Sequence, residues 1–470
     1  MAGTGQVLFK RWTAAAVAML LLASCGHVVN LPINQPVADA NAGLGLADVL
    51  RPSPSWDDDI MVGLAFSGGG MRAAAFSFGV LKEMAQANVS LRGQRTPLID
   101  HIDFVTGVSG GAVPAAYFGL KRRAALDDFR ERFLIRDAEE SLNTAISIGN
   151  VSRAISGGIN EDTRFRSWLD ANLFEGATFS SLLTERRPRI WINATDIYNG
   201  TPFVFGKTAF SAICSDLANY PIASAVAASA AVPLVFAPVV LESYPDKCDA
   251  NLPAWIRKAR DNPNAPPLLR AFALGISRYR DGTVKYIKLL DGGLVDNFGL
   301  SGFTIGRESS EVPYGPLTQV QAARLRRVLF LIVDAGQAPQ GDWARQLEGP
   351  SGADLVNAVT GAALYASVRA SYAAFEGTME NWRSALIRWR CGLAPAHLQR
   401  LRGAGSADCR DLKIHIGRIS FDQLGAERAA QLAAVETRFK LPVETVDALI
   451  AAGGESLAAN PTYRAFLKGM

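Results

Sequence analysis

A chain of 470 residues, 49% of them hydrophobic and 20% charged, has material for a large buried core, which excludes a disordered or fibrous protein. The formal net charge of +4 falls to +2 without residues 1–24, and no basic cluster stands out, so a nucleic-acid partner is not expected. No Cys-x-x-Cys and no histidine cluster is present, so neither a metal nor a cofactor is expected.

Lys10 and Arg11 precede an apolar run over residues 12–22 that is too short to span a bilayer as a helix and reads as a signal peptide over residues 1–24. It ends in Leu22-Ala23-Ser24-Cys25, which resembles the bacterial lipobox. That likeness implies lipidation of Cys25, and Gly26 in place of an aspartate implies the outer membrane, facing the periplasm or the surface. Residues 25–58, with Pro32, Pro36, Pro52 and Pro54, read as a lipidated, flexible tether. The remaining cysteines are Cys214, Cys248, Cys391 and Cys409. An even number in an exported chain permits disulfides, and 214 with 248 and 391 with 409 is the simplest of three connectivities.

Organisation begins after the tether. Residues 60–66 form an apolar run of strand length, followed at once by Ser67-Gly68-Gly69-Gly70-Met71-Arg72 and then by apolar residues at helical spacing. Three glycines without the lysine of a P-loop suit backbone amides aimed at a carbonyl oxygen, although a tight strand-to-helix turn explains them equally well. About forty residues on, the spacing of the next parallel strand, residues 102–108 lead into Gly107-Val108-Ser109-Gly110-Gly111. That is the G-x-S-x-G pattern, in which small neighbours let a serine stand on a sharp strand-to-helix turn at a helix N-terminus. Taken alone it is a weak signal.

Residues 188–196 and 200–205 read as a strand and the second arm of a hairpin, and the alanine-rich run 222–232 reads as a helix ended by Pro233. The proline-rich segment 241–280 reads as an irregular surface insertion flanking the site. Residues 284–290 alternate like a strand and end in Asp291-Gly292-Gly293, and residues 326–334 read as the last apolar strand. Leu355, Val359, Leu364, Val368, Tyr372 and Phe375 make a near-helical stripe, for which core packing is favoured over lipid contact. The C-terminal hundred residues read as helices and loops without a usable motif.

A serine nucleophile needs a proton acceptor and donors for an oxyanion, and two constellations compete. One is Ser109, Asp334 and His415 in α/β-hydrolase order; His415 lies in Lys413-Ile414-His415-Ile416, an alternating strand-like segment with no glycine-rich context, and reads better as structural. The other is Ser109 with Asp291 as base and Gly68, Gly69 and Gly70 as oxyanion donors.

At residues 60–335 the chain resembles the patatin-like phospholipase family in four ordered blocks. These are Ser67 to Arg72, Gly107 to Gly111, Ala228-Ser229-Ala230-Ala231-Val232-Pro233-Leu234-Val235-Phe236-Ala237-Pro238, and Asp291-Gly292-Gly293; Asn193-Ala194-Thr195-Asp196 is similar to a stretch frequent in bacterial members. The resemblance implies an α/β three-layer sandwich around a mostly parallel sheet, a Ser109–Asp291 dyad, an oxyanion hole at Gly68 to Gly70, and hydrolysis of fatty-acyl esters. Arg72, Gly107, Gly110 and Gly292 are supporting residues; Met71-Arg72-Ala73 departs from the commoner Arg-Gly ending. Expected, then, are an acyl hydrolase domain over residues 59–335 acting on a lipid substrate, and a helix-rich C-terminal extension over residues 336–470. The alternative is an idle lipid-binding or envelope-scaffold protein that keeps the fold.

Overall fold

The computed structural model describes residues 28–38, 59–91, 93–140, 142, 158–183, 188–248, 252–338, 341–403 and 408–469. The leader and Cys25 lie outside the described residues.

Apart from a small hairpin of Asn88–Leu91 and Gln94–Pro97, the strands are β1 (Ile60–Phe66), β2 (Ile102–Val108), β3 (Arg189–Asp196), β4 (Thr201–Phe205), β5 (Val239–Glu242), β6 (Tyr286–Asp291), β7 (Arg327–Asp334) and β8 (Lys413–Ser420). Among the described residues they form one sheet in the order β8-β7-β1-β2-β3-β6-β5, with β4 also on β3. β8, β7, β1, β2 and β3 are parallel, while β6 and β4 run antiparallel to β3. The apolar runs of β1, β2 and β7 are buried throughout, as parallel strands covered on both faces require. Alternate residues feed separate cores: Val62, Leu64 and Phe66 one, Met61 and Ala65 the other.

The first face is covered by α1 (Gly70–Gln86), α2 (Ala112–Lys121) and α3 (Ile222–Ser229). On the second face lie α6 (Ser301–Glu308) and the carboxyl half of the 40-residue α7 (Gly352–Cys391), whose Phe375, Met379, Trp382 and Leu386 are buried there. This is the expected three-layer α/β sandwich.

The prolines of residues 241–280 do not keep that segment irregular. Pro253 and Pro266 cap α4 (Ala254–Asp261) and α5 (Pro267–Arg280), positions where a missing N–H costs no helical bond. Neither helix lines the Ser109 cavity, so this segment does not flank the site.

The C-terminal region is largely helical, and the alternating segment at residues 413–416 is a strand, as its pattern suggests. β8 adds a parallel edge beyond β7, from Lys413 opposite Arg327 to Ser420 opposite Asp334. The region also contains α8 (Ala426–Ala433) and α9 (Val443–Ala459). α9 packs on α1 through bare backbone: a Cβ on Gly79 would lie 2.0 Å from the Ile450 carbonyl oxygen.

Cys214 is bonded to Cys248 and Cys391 to Cys409, the near-neighbour connectivity. In residues 28–38, expected to belong to a free tether, the chain is extended but docked. The Asn30 amide donates to the Ala237 and Pro238 carbonyls, and the Asn34 amide donates to Glu242 O at 2.8 Å.

Candidate active site

The site follows from a feature of the sheet that the sequence does not display. β3 pairs with β2 through residues 189–193 and with the oppositely directed β6 through residues 194–196. The carboxyl ends of β2 and β6 therefore meet at adjacent positions: Val108 lies opposite Asn193 and Asp291 opposite Ala194. Two residues 182 positions apart in sequence, Ser109 and Asp291, are brought to one point.

Ser109 sits at the turn into α2 with φ of 51°, a left-handed conformation that a side-chain-bearing residue adopts only when its surroundings enforce it. Its enforcer is Ser229, at the end of α3. The Ser109 amide donates to Ser229 Oγ at 2.8 Å, and Ser229 Oγ donates to the Asn193 carbonyl at 2.5 Å. The same segment holds the acid, because the Asp291 amide donates to Ala231 O at 2.8 Å and the Gly292 amide to Ser229 O at 3.1 Å. The Asn193 amide in turn donates to Gly107 O at 3.0 Å. Ser229 and Asn193 had no role in the sequence reading, although both lie in stretches singled out there. Their composition gave the signal; their function is a matter of what lies opposite.

Ser109 is 4% exposed and Asp291 8%, so both are largely buried. Burial pushes the Asp291 carboxyl up to about 6, with the Ser109 hydroxyl and the Gly293 amide, which donates at 2.8 Å, pulling it back. At neutral pH the group is mostly ionised yet far more basic than an ordinary carboxylate.

The glycine loop divides. Gly68 and Gly69 line the cavity in front of Ser109. The Gly68 amide, however, donates to the Asn297 carbonyl at 3.2 Å. Gly70 is buried with its α-carbon against the Arg438 backbone, where a Cβ would come within 2.5 Å of a carbonyl oxygen, and it does not line the cavity. Arg72, buried at the start of α1, donates to the Ala335 carbonyl at 2.9 Å and to that of Val435, tying the loop to the end of β7 and to the C-terminal region. Burial outweighs nearby Tyr365 and Asp334 and lowers its guanidinium to about 10, so it stays charged at neutral pH.

Asp334 and His415 are not brought to Ser109 as a triad. The Asp334 carboxylate, raised by burial and held back by its partner, accepts from Arg418 Nε at 2.8 Å. His415 lies opposite Leu329, five residues down the ladder from Asp334 or about 16 Å at ordinary strand rise, with its ring edge-on to Phe466. Burial, with Lys413 and Arg327 nearby, lowers its pKa.

The cavity over Ser109 has a volume of about 1220 Å³. It is lined by Val232, Pro233 and Leu294, by Leu364, Tyr365 and Val368 of α7, by Ala426, Ala429, Ala430 and Ala433 of α8, and also by charged groups that include Arg72, Asp334, Asp354, Asp422, Glu436 and Arg438. The sequence stripe on α7 is thus three things: Phe375 is core, Leu364 and Val368 are cavity wall, and Leu355 and Val359 are exposed.

A strained serine at a strand-to-helix turn, with a buried carboxylate beside it and a glycine loop in front, sits on an α/β sandwich of the patatin type, the fold of a lipid acyl hydrolase family. The chain belongs to the patatin-like phospholipase family, whose model matches residues 64–304. The crystal structure of VipD from Legionella pneumophila is similar at 14% sequence identity, covering 84% of this chain and 67% of that one, with a TM-score of 0.25. No curated protein matches the sequence.

Proposed function

We propose that this chain is a serine hydrolase of fatty-acyl esters in phospholipids or lysophospholipids, working through a Ser109–Asp291 dyad. The observation that carries the reading is the meeting of β2 and β6 at adjacent residues of β3, which sets a strained serine against a buried carboxylate of raised pKa with no imidazole between them among the described residues. Asp291 takes the Ser109 proton as the hydroxyl oxygen attacks the acyl carbon, then returns it to the leaving alcohol. Water, giving its proton to the same carboxylate, attacks the acyl carbon; the bond to Ser109 Oγ breaks, the proton passes from Asp291 to that oxygen, and the fatty acid leaves.

For the oxyanion we assign the amides of Gly69 and of Gly110, the residue after the nucleophile. Gly68 is already committed to Asn297, and Gly70 is sealed under Arg438. The apolar wall of Val232, Leu294, Leu364 and Val368 suits an acyl chain.

A fluorophosphonate probe tests this reading. It is expected to label wild-type protein at Ser109, found by peptide mass spectrometry, and to leave Ser109→Ala unlabelled. His415→Ala should keep labelling and short-chain aryl-ester turnover within about twofold of wild type, whereas a triad would lose orders of magnitude. Labelling elsewhere refutes the dyad, and no labelling with intact fold favours an idle lipid-binding protein.

We also propose that Cys25 is acylated and anchors the chain in the outer membrane, on the strength of Leu22-Ala23-Ser24-Cys25. Cys25→Ala is expected to abolish incorporation of a labelled fatty acid and to move the protein out of the membrane fraction. Among the described residues no helix is long and apolar enough to cross a membrane.

A further inference from the structure

Two consecutive glycines of the loop in front of Ser109 lie at positive φ, Gly69 at 138° and Gly70 at 56°. A glycine backbone has no side chain to fix it, so the direction of its amides is set by what packs around it. On one side the Gly68 amide is held by Asn297. On the other runs a strap, residues 435–440, beyond the span shared with the family. The Arg438 carbonyl accepts from the Met71 amide at 2.6 Å, the Arg438 backbone closes over Gly70, and the Val435 carbonyl accepts from Arg72. The strap is neither helix nor strand, so its own position must be fixed from outside. Glu139 fixes it. One carboxylate oxygen accepts from the Phe439 amide at 2.7 Å and the other from Arg438 Nη2 at 3.0 Å, on a side chain only 15% exposed. Beside it the Ala138 amide donates to the Phe439 carbonyl at 3.4 Å, and Lys440 Nζ pairs with Asp137 at 2.5 Å.

We propose that Glu139 is a positioning residue for the oxyanion loop: it holds the backbone at 438 and 439, and the Arg438 carbonyl in turn holds Met71 and the direction of the Gly69 amide. The inference rests on the assignment of Gly69 as an oxyanion donor. Glu139 does not line the cavity, so it acts only through the strap. A carboxylate suits the task because it accepts from a backbone amide and a guanidinium at once, in charge-assisted bonds stronger than neutral ones. A misplacement of about 1 Å in a group that serves the transition state costs on the order of 10²-fold, so a slackened strap is visible in the rate. Acylation and deacylation pass through the same oxyanion. Both therefore slow together, which lowers kcat and leaves KM in place.

Glu139→Ala in the full chain is expected to lower kcat for a short-chain aryl ester about thirtyfold, with KM within about twofold of wild type. Backbone amide exchange at Met71 should quicken several-fold, since its acceptor is no longer held. Glu139→Gln, whose amide oxygen can still accept from Phe439, should recover most of the loss and stay within about threefold of wild type. Arg130→Ala is the comparison. It breaks a pair with Asp447 of α9, made by Nε and Nη2 at 2.7 Å each, that also secures the C-terminal region but does not reach the loop. Its kcat should stay within about twofold of wild type. Unchanged exchange at Met71 overturns the proposal, as does an unchanged kcat, a fall carried by KM, or a fall of the same size in Arg130→Ala. If Glu139→Ala does not fold, Glu139→Gln decides alone: faster exchange at Met71 with kcat down about threefold at constant KM supports the proposal, and a wild-type value of either overturns it. If the wild type turns over no ester while exchange at Met71 responds to the substitution, the hold of the strap on the loop stands and the hydrolase reading falls.

Discussion

Asp291→Asn is expected to remove ester turnover by about 10³-fold or more while making the protein more stable at neutral pH. Both effects come from one cause. Burial raises this carboxyl to about 6 from an ordinary 3.8, so holding it ionised in the folded state is unfavourable, by about 3 kcal/mol at most at the usual conversion of pKa units to energy. A group whose pKa is higher folded than unfolded favours folding most below its unfolded value. That contribution fades as pH rises through about 6. Asparagine carries no charge and can still accept from the Gly293 amide, so its stabilising effect should be largest at pH 7 to 8, shrink through pH 5, and vanish near pH 4. Urea unfolding at pH 8 and pH 4 measures the difference. In the wild type, turnover should fall about tenfold per pH unit below 6 as the base takes up its proton. A variant that is both active and less stable at pH 8 would mean that Asp291 is a structural carboxylate.

Gly110→Ala should cost more than any other single-methyl change at the site. A Cβ there would lie 2.0 Å from the Gly70 carbonyl oxygen and 2.6 Å from the Gly70 amide nitrogen. Both are backbone atoms, and no rotamer change relieves the clash. The serine turn and the glycine loop must separate, which moves Ser109 away from the Gly69 amide. We expect a loss of about 10² or more in turnover and about 3 kcal/mol in stability, at the upper end for overpacking. The same change at Gly377, where nothing lies within 4 Å of the added carbon in the middle of α7, should be neutral or stabilise by up to about 1 kcal/mol. Thermal unfolding and aryl-ester turnover of the two variants make the comparison. Equal behaviour would show that the serine turn and glycine loop are not in close contact.

Much of the fold could be read directly because its signals are local. Buried parallel strands are written as unbroken apolar runs at residues 60–66, 102–108 and 327–334. The turn residues at Gly68 to Gly70, Ser109 and Asp291 mark where strands give way to loops at the sheet's carboxyl edge. β8 was legible only as an alternating, strand-like segment at residues 413–416. As a half-exposed edge strand with Lys413, His415 and Arg418 it lacks the continuous apolar run of its neighbours. The helices of residues 254–280 were hidden by prolines whose position at helix starts only the backbone reveals.

By itself the sequence determined that this is a layered α/β protein with one serine built into a sharp turn and a small set of carboxylates to serve it. The tertiary structure pairs Asp334 with Arg418 and leaves Asp291 beside Ser109. It also decided which glycine amide is taken and what encloses the cavity, since Asn297, Arg438 and α7 all reach the loop from more than 200 residues away. Periodicity and turn chemistry act over a few residues and can be read along the chain. Which carbonyl stands opposite which amide depends on strand order and direction, and no short stretch of sequence contains them.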